Sequence, residues 1–271
     1  MRVKTVPERA IGVFDSGVGG LTVLRELRLQ IPDEPLVYLG DTARVPYGTK
    51  SSPTVLRYAH EAARFLLAQR VKLLVVACNT ASAVALEDLA KHYSVPVVGV
   101  IEPGARRALE ITRNGRIGVA GTEGTIRSGA YERALHAGRP DVVVHVAACP
   151  LFVPLAEEGW ARHEVARLAA REYLAPLLEA GIDTLVLGCT HYPLLKEMLQ
   201  EVVGPGVLLV DSAQETAKVV AFRLKEHNLL HQAAQLQPPR YFVTDIPDRF
   251  QRVGGAFLGE ELHGVTTVSL D

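Results

Sequence analysis

Two thiols recur in one local setting. Leu74-Val75-Val76-Ala77-Cys78-Asn79-Thr80 and Leu185-Val186-Leu187-Gly188-Cys189-Thr190-His191 each run from apolar residues through a small residue to Cys, then into residues that open a helical pattern. A thiol at a strand end and helix start is expected to have a lowered pKa, because backbone N–H groups and the helix dipole favour the thiolate. One thiolate and one thiol on opposite faces of a carbon acid can remove one proton and return another, giving the mirror image. A buried Cys is often just a small apolar side chain, and for a single Cys that reading is the stronger one. Two in matched turns favour chemistry. Cys149, in Ala147-Ala148-Cys149-Pro150, lacks the setting and is read as structural. His191, two residues after Cys189, can assist that thiol's deprotonation.

Asp15-Ser16-Gly17-Val18-Gly19-Gly20 follows an apolar run and precedes a helical stretch. Such turns often cradle phosphate, but this one has neither the Gly-x-Gly-x-x-Gly register nor the Lys of a Walker loop. Asp15 is therefore read as a catalytic or ligand-orienting acid and Ser16 as a hydrogen-bond donor; alone, the turn would only be one that needs glycine. The segment Gly40-Asp41-Thr42-Ala43-Arg44-Val45-Pro46-Tyr47-Gly48 can reach the same level. Arg44 there is either a carboxylate partner or half of an Asp–Arg surface pair. Glu157 and Glu158 beside Trp160, the only Trp, have the local look of a solvated helix end.

The elements that must hold these groups alternate. Short β-branched runs at 11–15, 36–40, 72–77, 97–101, 116–121, 142–146, 184–188, 207–210, 240–243 and 265–268 are separated by helical patterns. Val55, Ala59, Ala62 and Leu66 form one apolar stripe; Val165, Leu168, Glu172 and Ala175 partly follow another. This predicts an α/β fold built on mainly parallel, helix-covered sheets. Ile11-Gly12-Val13-Phe14-Asp15-Ser16-Gly17 is echoed 106 positions later by Ile117-Gly118-Val119-Ala120-Gly121-Thr122-Glu123, and the cysteine turns are 111 apart. Two similar α/β domains are expected, residues 1–98 plus 211–271 and residues 99–210, with the active site in the cleft between them.

Bulk properties narrow the function. The 271 residues are 48% apolar with a formal net charge of −1, which suits a full core and offers no basic footprint for nucleic acid or a membrane surface. No apolar run approaches a membrane span, and Met1 to Ala10 has no apolar signal core. A cytoplasmic location is expected. Three scattered Cys and nine scattered His argue against a disulfide framework and a zinc site.

The four segments Phe14–Leu21, Gly40–Gly48, Cys78–Ser82 and Gly188–Leu194, with Glu157-Glu158-Gly159-Trp160 and Asp248-Arg249-Phe250, resemble the glutamate racemases, and the resemblance covers nearly the whole chain. Each cysteine motif alone also resembles the wider aspartate/glutamate racemase superfamily. The resemblance implies a cofactor-independent, metal-free two-base enzyme of the cytoplasm, a homodimer, acting on glutamate and supplying D-glutamate for peptidoglycan. It implies that Cys78 takes the α-proton from D-glutamate with help from Asp15. Cys189 takes it from L-glutamate with help from His191, and Glu157 is a supporting acid. It further implies substrate contacts from Asp15, Ser16, Tyr47, Gly48, Asn79, Thr80, Thr122, Thr190 and His191, and makes Arg44 a structural partner. Three other readings stay open: a racemase for aspartate or another small acid, a pyridoxal enzyme using Lys50, and a two-lobed amino-acid binder.

Overall fold

The computed structural model describes residues 6–231 and 238–270. The first lobe begins with β1 (Ile11–Asp15), α1 (Leu21–Gln30), β2 (Leu36–Gly40), α2 (Ser52–Ala68), β3 (Leu73–Val76), α3 (Asn79–His92) and β4 (Val97–Gly99). Helix α4 (Ile101–Ile111) leads into β5 (Arg116–Gly121), α5 (Glu123–Arg127), α6 (Ala130–Gly138) and β6 (Val143–Ala148). Then come α7 (Phe152–Glu157), α8 (Glu164–Glu179), β7 (Thr184–Gly188), α9 (Lys196–Val203) and β8 (Leu208–Asp211). Helix α10 (Ser212–Glu226) returns the chain to β9 (Arg240–Val243), α11 (Pro247–Leu258) and β10 (Val265–Thr267).

The strands form two parallel sheets, ordered β10-β9-β2-β1-β3-β4 and β6-β5-β7-β8. The first four strands of each half therefore share one order: the second, first, third and fourth lie side by side. The internal echo in the sequence is a topological repeat. In each half the winding direction reverses beside the opening strand, and loops at such a reversal leave a crevice beyond the strand ends. Asp15 ends β1 and Cys78 follows β3 at one reversal; Thr122 and Cys189 follow β5 and β7 at the other.

Burial explains the apolar runs. β1 and β7 are buried at every residue, as strands covered by helices on both faces must be. Ile11, Val13, Leu185 and Leu187 join one core that runs through both lobes, whereas Phe14 faces the core under α2 and α3, and Val186 faces the core under α4. The edge strand β6 is only half covered. Among the described residues, no helix is long and apolar enough to cross a membrane and no group of His, Cys, Asp and Glu is placed to hold a metal.

Three local expectations shift. The run expected at 97–101 ends at Gly99, and Ile101 already opens α4. The stripe Val55, Ala59, Ala62, Leu66 of α2 is buried as its spacing predicts. In α8, however, the buried stripe is Ala166, Ala170, Leu174 and Leu177, while Val165 and Leu168 face outward. Two alanines let α8 lie close to the sheet, and this close approach outweighs the larger apolar side chains one position away. The third shift concerns Cys189 and is described with the site.

Candidate active site

Cys78 occupies the N-cap position of α3, in an extended backbone conformation. Its thiol donates to Ser16 Oγ at 3.7 Å. The expected lowering of its pKa is reversed. Burial, then the nearby Asp15 charge, push the Cys78 thiol up to about 12, against the opposing pull of the Ala81 N–H and Ser16. A helix N-terminus favours a thiolate, but withdrawal from water is the larger effect here. Cys189 also departs from the expected setting. It is followed by a turn and a short 3-10 helix, Tyr192–Leu195, and the α-helical part begins only at Lys196. Pro193 sits in that first turn, where no N–H is required of it.

What Cys189 has instead is His191, whose Nδ1 lies 3.8 Å from its sulfur. The far nitrogen, Nε2, lies 3.0 Å from Glu157 Oε1. Glu157 Oε2 accepts from Arg249 Nη2 at 2.9 Å. Burial alone would make His191 harder to protonate. The hydrogen bonds to Cys189 and Glu157 and the charges of Cys189 and Asp15 outweigh it and raise His191 to about 10. Burial likewise opposes ionisation of Glu157, yet His191 and Arg249 hold it below the usual carboxylate range. The Phe257 ring and the imidazole meet in a T-shaped arrangement at a centroid distance of 5.2 Å. Glu157 is therefore not a solvated helix end, while Trp160 is half exposed and stacks on His163.

Asp15 is buried between the two sides. Its Oδ2 accepts from the Gly17 N–H at 3.0 Å and its Oδ1 from Thr190 Oγ1 at 3.4 Å. Burial raises its pKa, although His191, Gly17, Gly20 and Thr190 each pull it down. It acts on Cys78 through its charge; the thiol's hydrogen bond goes to Ser16. Gly19 packs so tightly that a Cβ there would lie 2.3 Å from Thr190 Oγ1 and 2.5 Å from His191 Nδ1. The glycine turn is thus a close-approach device, as well as a bend.

The remaining candidates line the seam between lobes. Thr80 Oγ1 lies 2.9 Å from Thr122 Oγ1 and 3.2 Å from Thr125 Oγ1. A Cβ on Gly48 would meet Thr122 Cβ at 2.7 Å, so the loop from the first lobe abuts the start of α5. Asn79 Oδ1 accepts from Tyr131 OH at 2.7 Å, and Asn79 Nδ2 is buried with no protein partner. The hydroxyl of Tyr47 is already engaged by Asp41, which also accepts from Arg44 Nε at 2.7 Å and from Thr244 Oγ1 at 3.0 Å. Arg44 also pairs with Glu61 and covers the Tyr58 ring at 4.0 Å, so it is a structural partner. Cys149 is buried, its thiol is pushed up to about 12 by burial, and it donates to Ala147 O at 3.6 Å.

Sequence reasoning gave no role to Thr125, Tyr131 and Arg249. Thr125 carried a weak signal, three residues after the cap residue Thr122; Arg249 lay in a segment that carries the family resemblance but had no role attached, and Tyr131, on a distant helix, had no signal.

Residues 19–220 match the Asp/Glu/Hydantoin racemase family. The chain is 60% identical over 266 residues to a protein of Geobacter metallireducens named glutamate racemase, with 98% of each chain covered. Its fold is similar to a glutamate racemase isoform of Bacillus anthracis, with a TM-score of 0.92 and 42% identity over 97% of this chain and 98% of that one. It is equally similar, TM-score 0.92, to the Francisella tularensis glutamate racemase solved with D-glutamate, at 39% identity over 98% of this chain and 99% of that one.

Proposed function

The chain belongs to the Asp/Glu/Hydantoin racemase family, and from that premise we propose that it interconverts L- and D-glutamate with Cys78 and Cys189 as the two acid–base groups. The observation that carries the reading is the unequal equipment of two buried thiols at matched strand ends. Cys78 is held protonated by burial and Asp15, and Cys189 is faced by a His191 whose pKa is raised to about 10.

In the L-to-D direction the Cys189 thiolate takes the α-proton, and the C–H electron pair stays on the α-carbon. The Cys78 S–H bond breaks as its proton goes to the opposite face. Cys189 ends as a thiol and Cys78 as a thiolate; D-glutamate is processed by the reverse sequence. An amino-acid α-proton is weakly acidic, so the carbanionic charge must be met by fixed dipoles with water kept out. The near-complete burial of both thiols supports this. His191 and Glu157 assist Cys189, and Asp15 with Ser16 assists Cys78. Asn79 Nδ2, the hydroxyls of Ser16, Thr80, Thr122 and Thr190, and the backbone of Tyr47-Gly48 suit the substrate carboxylates. Tyr47 contributes main chain, since Asp41 holds its hydroxyl. Two domains with the boundaries given above, a cytoplasmic homodimer and a role in supplying D-glutamate for peptidoglycan complete the proposal; light scattering tests the dimer.

The decisive test is incubation with L-glutamate in D₂O, following the α-proton by NMR and the optical rotation. Deuterium at the α-carbon with falling rotation is expected, and Cys78→Ser or Cys189→Ser should each abolish racemisation. Near-normal turnover in either variant removes the two-thiol mechanism. Exchange with aspartate alone keeps the mechanism and changes the substrate.

A further inference from the structure

Both oxygens of Glu157 are occupied, one by each lobe. Oε1 meets His191, which follows β7 in the second lobe, and Oε2 meets Arg249, which rides on α11 in the first. Glu157 is the last residue of α7, the end where a helix dipole disfavours an anion. Its position is held by two cations, one of which comes from across the cleft mouth. A small cavity of about 50 Å³ opens there, lined in part by Gly17, Val18, Glu157, Arg249 and Phe250.

Arg249 is mounted on a stiff corner. Thr42 Oγ1 donates to Asp245 O at 2.6 Å and accepts from the Asp245 N–H at 2.8 Å. The Ala43 N–H donates to Thr244 Oγ1 at 2.9 Å, and Thr244 Oγ1 donates to Asp41 Oδ1. Ile246, a β-branched residue, is held at a φ of 43° with its N–H on Asp245 Oδ1. That conformation is costly for such a residue and persists only where its surroundings impose it. Phe250 then anchors the helix on Tyr38, ring centroids 5.8 Å apart. The same helix touches the His191 ring directly through Phe257.

We propose that Arg249 is a positioning residue: it reaches from the first lobe to fix the Glu157 carboxylate, and through Glu157 it sets the His191 ring against Cys189. Arg249 thereby ties the first lobe to the Cys189 side, because Arg249, Glu157, His191 and Cys189 form one continuous chain of contacts between the lobes. This inference rests on the racemase reading. The bland alternative is a half-exposed surface ion pair, a class of contact that contributes little; in that case its loss leaves catalysis unchanged.

The test is kinetic, on the full chain. Arg249→Gln should lower kcat by about tenfold with little change in KM, part of the ~10²–10⁴ that a positioned acid–base group contributes. Arg249→Lys should restore most of it. In Glu157→Gln, adding Arg249→Gln should cost nothing further, since the route through Glu157 is already cut. Removing the cation also lets the Glu157 carboxyl rise, so the acid limb of kcat/KM should move to higher pH. His191 and Arg249 are the charged groups facing Glu157, and Cys189 and Asp15 face His191. Arg252→Gln, exposed on the same helix, serves as the control. An Arg249→Gln enzyme with unaltered kcat and pH profile overturns the inference, as does full additivity in the double variant. Absence of glutamate exchange in the unmodified protein overturns the racemase reading instead, independently of Arg249.

Discussion

At the scale of single residues, withdrawal from water decides most charges in the site. It reverses the expectation for Cys78 and raises Asp15, whereas at His191 and Glu157 partners overcome it. His191 therefore ties stability to pH. Its folded pKa of about 10 lies above the ordinary value of 6.5, so its stabilisation is complete below about 6.5 and is lost as pH rises through about 10. The urea midpoint should fall across that window, and His191→Asn should flatten the decline. Gly19 makes a second residue-scale prediction. A methyl group there collides with Thr190 and His191, so Gly19→Ala should reduce kcat/KM by more than ~10²-fold, as misplacement of about 1 Å can do. Its folding cost, about 1–3 kcal/mol for an overpacked site, is read separately by thermal denaturation.

At the scale of elements, the strands were legible because runs buried on both faces leave a continuous apolar signature, and β1, β2, β3 and β7 have it. The helix faces were less so. Spacing marked Val165 and Leu168 in α8, yet close packing favoured the alanine stripe. The helix start expected after Cys189 became a 3-10 turn, which places His191 beside the sulfur two residues earlier. The start of α5 has a structural role beside its proposed binding role. Thr122 caps it by accepting from the Thr125 N–H at 3.3 Å, and its hydroxyl also meets Thr80 across the seam. Thr122→Ala should cost about 1 kcal/mol of stability as a lost cap and raise KM more than it lowers kcat. Thr122→Ser should recover both, as paired urea melts and initial rates would show.

At the scale of the whole molecule, two repeats with the same strand order face each other, and one core passes through both. A ligand bound between them, as proposed, would stabilise the folded state by about 2.7 kcal/mol at a hundredfold excess over Kd. L- or D-glutamate should therefore raise Tm in proportion to its logarithmic excess, with aspartate at equal concentration raising it less. Lys72 locks the opposite end of the first sheet. Buried beside Glu34 at 2.5 Å, it also donates to Pro7 O and Leu229 O at 2.8 Å, joining three distant segments. Lys72→Met should cost about 3–5 kcal/mol by leaving a buried carboxylate unpaired, a loss that the urea midpoint would report.

By itself the sequence determined the α/β alternation, the doubled pattern and the candidates for chemistry, Asp15, Cys78, Cys189 and His191, because each is written in a short contiguous run. The balance of forces on those residues was decided only in three dimensions. Arg249 stands 92 positions from Glu157 and Tyr131 52 from Asn79, contacts that no local pattern encodes. The sign of the Cys78 shift depends on how completely water is excluded, which is a property of packed lobes. Neighbours in the chain specify which group is present; neighbours in space specify its charge.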